Sequence, residues 1–440
     1  MSSAHDTVDL LSAMIRNACV NDGSPDSGQE SRNAGVLLDY LSDTSVQVEV
    51  VEPHPGRVSA VFRVPGRHRD APALTLLGHT DVVPADPRTW THDPFSGAVR
   101  DGIVWGRGAI DMLNLTAAMA VVTRAVARRP RPLAGDLVFA AVADEESGSR
   151  FGAGWIARHR PELLAWDHAL TESAGAHVGS GAVSVTVGEK GSFPRRLLVR
   201  GRSGHGSMPW GARNAAVIAA EAVARIARHR PAARTDERWE AFVHAQELPP
   251  AVTSALLDPA TLDDHLHRLG ETARFAHALT HLTLTPTIVR AGGKINVIPG
   301  TAAVDIDIRA LPGQSEDEAD AELRAALGDL TEHITVEPLG SRTPSQSPPG
   351  RLYDTIGAAV SRRFPGRGPL PLLTAGGTDA RFVRERGGLA YGFGLYSSDW
   401  DVGRYRRLFH GDDEHVDVES LRLTTDALQD VVESFLEEER

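Results

Sequence analysis

The chain carries a single cysteine, Cys19. No disulfide can form within it, and a cysteine-built zinc site is excluded, so any metal must be held by His, Asp and Glu. There is no basic excess either: 46 Lys and Arg stand against 58 Asp and Glu, a formal net charge of −12. Nucleic acid, which selects a basic face, is thereby excluded as a partner. No apolar run reaches the length of a membrane span. The stretch Met1-Ser2-Ser3-Ala4-His5-Asp6 has neither the basic region nor the apolar core of a secretory leader. These absences predict a cytoplasmic protein with no membrane partner. Also missing are His-Glu-x-x-His, Gly-x-Ser-x-Gly and a Gly-Lys-Ser/Thr phosphate loop. No internal repeat is present.

What is there is long and regular. A chain of 440 residues exceeds one small core and predicts two domains, one of them inserted in the other. Helical spacing links Val8, Leu11, Met14, Ile15 and Cys19, and then Ala34, Leu37, Leu38 and Leu41. Strands are predicted over 46–51, 58–64, 74–77 and 137–142, with a helix over 115–127; this alternation defines an α/β sheet. After Gly191 the order becomes β-α-β-β-α-β: strands 195–200, 282–289, 302–308 and 334–336 with helices 214–226 and 316–327. That is the ferredoxin-like signature. Between its first helix and second strand, residues 229–281 are too many for a loop and predict extra helices. The Ser/Pro/Gly-rich stretch 340–350 reads as a linker. The expected architecture is α/β: a discontinuous domain with a central mixed sheet over 1–190 and 341–440, and an inserted ferredoxin-like α+β lid or dimerisation domain over 191–340.

The chemistry starts with Glu145 and Glu146, in Ala143-Asp144-Glu145-Glu146-Ser147-Gly148 directly after the apolar run Leu137–Val142. Adjacent carboxylates repel, and a cation or a held proton relieves the repulsion. His79 and Asp81 end another strand, and residues two apart share a face. A neighbouring carboxylate can fix the tautomer of a metal-binding histidine. Asp111 follows Gly106-Arg107-Gly108-Ala109-Ile110, either as a helix N-cap or as a functional acid. Glu172 stands in Leu170-Thr171-Glu172-Ser173, and His410 in Phe409-His410-Gly411-Asp412-Asp413-Glu414.

These stretches resemble the zinc-dependent aminoacylase, glutamate carboxypeptidase and succinyl-diaminopimelate desuccinylase family of metallopeptidases. The family motifs run in order from about residue 30 to the C-terminus: Gly78-His79-Thr80-Asp81, Gly106–Met112, Asp144–Gly148, Gly204-His205-Gly206-Ser207-Met208-Pro209, Asn296-Val297-Ile298-Pro299 and the His410 segment. Leu113-Asn114 replaces the family's usual Lys-Gly after Asp111-Met112. The insertion at 229–281 resembles the carboxypeptidase S-like branch.

The resemblance implies two Zn²⁺ per subunit, with Co or Mn as substitutes. One site would use His79, Asp111 and Glu172, and the other Asp111, Glu146 and His410. It implies a cis peptide at Asp111-Met112, a general base at Glu145 acting on a metal-bridging water, and Asp81 supporting His79. His205 would stabilise the oxyanion, in dimeric members from the partner subunit. Asn296, Arg309, Gly377 and Thr378 would contact a substrate bearing a free carboxylate, an N-acyl amino acid or dipeptide. Lys190, at the junction of the domains, receives no role. Hinges near 188–191 and 339–341 would let the lid close. A homodimer would form through the inserted domain. The alternatives are an amidohydrolase of ureido or carbamoyl substrates, or a binding protein without catalysis on the same scaffold. His265 and His267 read as a solvated helix face.

Overall fold

The computed structural model describes residues 3–437; Met1 and Ser2, part of the stretch read for a leader, lie outside the described residues. A ten-stranded mixed sheet forms its centre, in the order Gln47–His54, Arg57–Val64, Leu137–Val142, Leu74–His79, His168–Thr171, Leu389–Gly392, Ala182–Glu189, Ser345–Gln346, with Gly368–Thr374 and His177–Val178 also paired to Ala182–Glu189. The three middle strands, Leu137–Val142, Leu74–His79 and His168–Thr171, are mutually parallel. Every residue of Leu137–Val142 and Leu74–His79 is buried, which explains their largely apolar character: helices cover both faces. One of these, Leu113–Ala127, is buried nearly all round. It packs close because Gly78 offers no side chain; a Cβ there would lie 2.6 Å from Thr116 Oγ1.

The second sheet is antiparallel. Its strands lie in the order Thr283–Ala291, Thr301–Ala310, Arg195–Arg200, Ile334–Pro338, which is the ferredoxin-like order that the sequence predicts. Helices Ala215–Arg228 and Glu316–Leu327 bury Ala219, Ala222, Ile226, Ala319 and Leu323 against Leu197, Val304, Ile306 and Ile308 in a separate core. Helix Glu316–Leu327 begins at a reciprocal capping box between Ser315 and Glu318, carries three acids in its first turn and stops at Gly328, φ 58°. Each device is legible in the sequence.

The two sheets are joined by two segments lying side by side. The Ser192 and Arg342 main chains exchange hydrogen bonds of 2.8 and 2.9 Å, and Ser345 pairs with Glu189. The stretch read as a pure linker therefore adds a short strand, Ser345–Gln346, to the main sheet.

The insertion is helical, as expected, with helices Glu237–Ala245, Pro250–Leu257, Leu262–His265 and Ala273–Thr280. Its apolar faces do not join the lid core. Trp239, Phe242, Val243, Leu256, Leu262 and Phe275 belong to the same buried cluster as the helices on the large sheet. Polar contacts tie it to both sides: Arg407 to Glu271 at 2.7 Å on one, His229 to Glu322 at 2.7 Å on the other. Two local expectations change. Cys19 is buried but lies beyond its helix, which ends at Arg16. Asp111 is not an N-cap, since helix Leu113–Ala127 follows Met112 without a side-chain cap.

Candidate metal centre

The carboxyl ends of the three parallel middle strands define one point in space. His79 ends the central strand, Glu145 and Glu146 follow the neighbour on one side, and Glu172 follows the neighbour on the other. In sheets of this kind ligands bind beyond the carboxyl edge. Asp111 and His410 arrive there from two loops. Asp111 Oδ1 lies 3.2 Å from His79 Nε2, and Oδ2 lies 2.8 Å from His410 Nε2. One carboxylate thus faces two imidazoles. Glu172 approaches His79 Nε2 at 4.0 Å, and Glu146 Oε2 approaches His410 Nε2 at 3.3 Å. The peptide between Asp111 and Met112 is cis.

The acid pair is positioned from behind. Asp144 takes φ 65° and starts a single 3₁₀ turn, Glu145–Ser147. The Asp81 carboxylate accepts the backbone N–H of Glu145 at 3.2 Å and of Glu146 at 3.1 Å, together with Asn21 Nδ2 at 2.8 Å. The His79 Nδ1–H has the Asp81 backbone carbonyl at 3.0 Å and its carboxylate at 3.4 Å. Asp81 therefore holds the His79 tautomer mainly through its main chain, and spends its carboxylate on orienting both glutamates. Below them Arg57 is fully buried between Glu30, 2.5 Å, and Asp144, 2.7 Å.

The Asp111 loop is held by Glu414. This buried carboxylate accepts the N–H groups of Gly108, Ile110 and Asp111 at 3.1, 2.6 and 3.1 Å, and Arg107 Nη1 at 2.8 Å. Arg107 in turn reaches the carbonyls of His410 and Gly411, so one ion pair registers the Asp111 and His410 loops. Motif reading overlooked Glu414 and Asn21. Glu414 acts on three backbone amides and Arg107, and Asn21 on the Asp81 and Asp144 carboxylates, partners distant in sequence that no local motif displays.

Electrostatically the cluster is unfinished. Burial, then the charge of Asp111, pushes the Glu146 carboxyl up to about 7. Burial, followed by Asp379, Glu146 and Asp111, raises Glu145 well above the carboxylate range against the pull of His79. Burial, Asp111 and Glu145 do the same to Glu172. On His410, burial is outweighed by Asp111 and Glu146, and its imidazole rises to about 10. Glu146 Oε1 is buried without a hydrogen-bond partner. Three glutamates, a shared aspartate and two imidazoles with converging Nε2 atoms make a donor set suited to two divalent cations. The atoms of His79, Asp111 and Glu146, and of His79, Glu145 and Glu172, lie within 4.8 Å of one another.

The remaining expected residues lie apart from this cluster. His205 is exposed, with Nδ1 bonded to Ser207 Oγ at 2.7 Å. It pairs through a short ladder with Val297, and Gly206 N–H donates to Asn296 O at 2.8 Å. No hydrogen bond or ion pair connects His205 or Asn296 to the acids. Arg309 sits within its strand and pairs with Asp307 at 2.9 Å. Both the N–H and the hydroxyl of Thr378 donate to buried Glu189 at 2.8 Å. At Gly377 a Cβ would fall 1.9 Å from Arg342 Nη1, so that glycine lets a guanidinium lie against the backbone. Arg342 itself was missed. Burial depresses its basicity, it lies within electrostatic reach of Glu189, Arg309 and Glu145, and its buried Nε has no partner.

A buried acidic cluster at the carboxyl edge of an α/β sheet, with a ferredoxin-like domain beside it, defines a two-domain metallohydrolase. The pattern of Peptidase family M20/M25/M40 matches residues 75–434, and the chain belongs to that family. It is 31% identical over 371 residues to a succinyl-diaminopimelate desuccinylase of Stenotrophomonas maltophilia (strain K279a), covering 83% of this chain and 84% of that one. A protein of the same description from Xanthomonas oryzae pv. oryzae (strain PXO99A) is 28% identical over 439 residues, 99% and 100% of the two chains. The fold matches an M20 family metallo-carboxypeptidase from Sulfolobus solfataricus with TM-score 0.73 at 16% identity, over 99% of each chain. It matches human carnosine dipeptidase 1 with TM-score 0.69 at 16% identity, over 99% of this chain and 97% of that one. The fold class read from the sequence, a central mixed sheet plus an inserted antiparallel domain, is the one found. Among the described residues no helix is long and apolar enough to cross a membrane.

Proposed function

We propose that this M20 hydrolase cleaves an amide bond beside a free carboxylate, in an N-acyl amino acid or a dipeptide. The observation that carries the reading is the Asp111 carboxylate set between His79 and His410, with Glu145 beside it and free of any hydrogen bond from a neighbouring side chain. Two divalent ions, zinc first among them and cobalt or manganese as substitutes, would be held by His79, Asp111 and Glu172 and by Asp111, Glu146 and His410. When bound they supply Lewis acidity to the scissile carbonyl and to water.

Glu145 takes the proton of the attacking water and hands it to the departing amine. A raised carboxyl pKa strengthens the base that takes the proton. His205 donates to the developing oxyanion, either within one chain or across a dimer. Arg309 and Arg342 bind the substrate carboxylate, since a guanidinium fork matches its two oxygens; Asn296 lies beside His205 to orient the amide. A homodimer through the inserted domain is supported by its surface. The edge strand Thr283–Ala291 exposes Ile288 and Val289, and Met208, Trp210 and Ile295 stand out nearby. Such a patch on an unpaired edge invites a partner.

The test is a turnover screen of metal-loaded protein over N-acyl amino acids, N-succinyl amino acids, dipeptides and carbamoyl amino acids. Hydrolysis of the carbamoyl compounds alone transfers the reading to a ureido amidohydrolase. Turnover of none, with full metal content, favours a binding protein.

A further inference from the structure

The insertion brings together a second set of ligand-type side chains, outside the acidic cluster. His277 and His281 are one helical turn apart at the end of Ala273–Thr280, and Asp263 lies on Leu262–His265. One nitrogen from each histidine and an oxygen of Asp263 lie within 4.8 Å of one another. The two rings are stacked, centroids 4.1 Å apart and 4° from parallel.

The hydrogen bonds of His281 fix its state. Nδ1 faces the His277 carbonyl at 3.1 Å, an acceptor only, so it carries the proton. It also meets Thr280 Oγ1 at 2.9 Å, whose own hydrogen is directed to the Ala276 carbonyl at 3.1 Å. In the neutral ring, which burial favours, Nε2 is then the lone-pair nitrogen. It is buried, makes no hydrogen bond, and points at Asp263 Oδ1 3.1 Å away. A lone pair facing a carboxylate is repulsive unless a positive species sits with them. The His281 side chain is 1% exposed and that of Asp263 46%, so the pair is sealed on the imidazole side and open to solvent on the carboxylate side. A backbone carbonyl holding the far nitrogen is the arrangement that orients metal-binding histidines.

We infer that His277, His281 and Asp263 form a further divalent-metal site, of the zinc class, that staples the inserted helices together. Two imidazoles and one carboxylate suit Zn²⁺ and not the oxygen-seeking Mg²⁺ or Ca²⁺. Because parallel rings 4.1 Å apart do not aim both nitrogens at one ion, binding would require the His277 ring to turn out of the stack and would leave a fourth position for water. The ion enters from an open groove of about 610 Å³ bordered by His277, His267, His229 and Arg230. Burial keeps both imidazoles less basic than usual and hence in their ligating form. Lys190 donates to the His281 carbonyl at 2.6 Å. Burial lowers that lysine to about 7, so its charge is easily lost beside a cation. That hydrogen bond ties the His281 main chain to Lys190, beside the segment that joins the two sheets.

Two measurements test it. The full-length protein and its Asp263→Asn and His277→Gln variants are dialysed against Zn²⁺, and metal per chain is determined. The expected result is one zinc fewer in each variant, with turnover unchanged. Equal zinc in all three proteins overturns the site. Crystals of unmutated protein grown with Zn²⁺ should also show an anomalous peak between His277, His281 and Asp263. Absence of that peak overturns it, even if the variants misfold. The difference of one zinc and the peak position are read independently of occupancy at the acidic cluster, so failure of the proposed hydrolytic centre remains a separate result.

Discussion

The acidic cluster of the large domain and the His205 region of the inserted domain are built on opposite terms. On the large domain the acidic cluster is braced from behind: Asp81 by three donors, Asp111 through the grip of Glu414 on its loop, and the glutamate turn by Arg57 and Asn21. On the inserted domain the corresponding residues stand almost bare. His205 bonds only its neighbour Ser207, Ile295 is fully exposed, and Trp210 is 98% exposed. The first face is organised before substrate arrives. The second, under the proposed function, would acquire its contacts from substrate or another subunit. Precise metal geometry demands the first arrangement; adaptable recognition tolerates the second.

Glu145→Gln probes the organised face most severely. Its kcat should fall by about 10²–10⁴-fold, with metal content by elemental analysis unchanged; retention of turnover would remove Glu145 from the mechanism. On the bare face, His205→Ala should lower kcat by about 10²–10³-fold while leaving the melting temperature where it was. A matching loss of stability would mean that His205 is structural and the contrast misdrawn. Glu414→Gln touches no substrate, yet should weaken metal affinity by about 10–100-fold in a chelator competition, because three amides and Arg107 lose their anion. Arg342→Ala should raise KM about tenfold with kcat nearly kept, the mark of lost uniform binding; a fall in kcat alone would place it elsewhere.

The smallest expected effect is one of pH. Arg196, and then Arg290, holds the Asp305 carboxyl down to about 2 from the usual 3.8. A depressed folded-state pKa adds stability above the unfolded value and loses it as pH falls toward 2. Acid unfolding of the lid should therefore shift to lower slope between pH 4 and 2 in Asp305→Asn, while the large domain is unaffected.

Local features were readable to the residue. The strands Leu137–Val142 and Arg195–Arg200 and the helix Glu316–Leu327 have the predicted ends, because apolar runs, the capping box and Gly328 act over a few residues. The residues of the acidic cluster were visible through their motifs, and they converge in space. What escaped was long-range. Glu414 works on amides some 300 positions away, and Arg342 matters because Gly377 leaves room for it. The inserted helices have apolar faces whose pattern does not say which core will receive them; they joined the large one. Thr378 looked open to substrate, but buried Glu189, two residues before the sheet junction, claims both its donors.

The place of strand Leu389–Gly392 sets a timetable for synthesis. It lies between His168–Thr171 and Ala182–Glu189, pairing along its length with the former. On the ribosome, everything up to the lid emerges while that slot is still empty, leaving the strand that leads to Glu172 with an unpaired edge. An open edge of this kind is where a nascent chain mispairs or recruits a chaperone. The large domain closes only when its C-terminal third has been made, and His410 is delivered by the same late segment. A truncated or stalled chain therefore has neither a finished sheet nor the full set of acidic-cluster side chains.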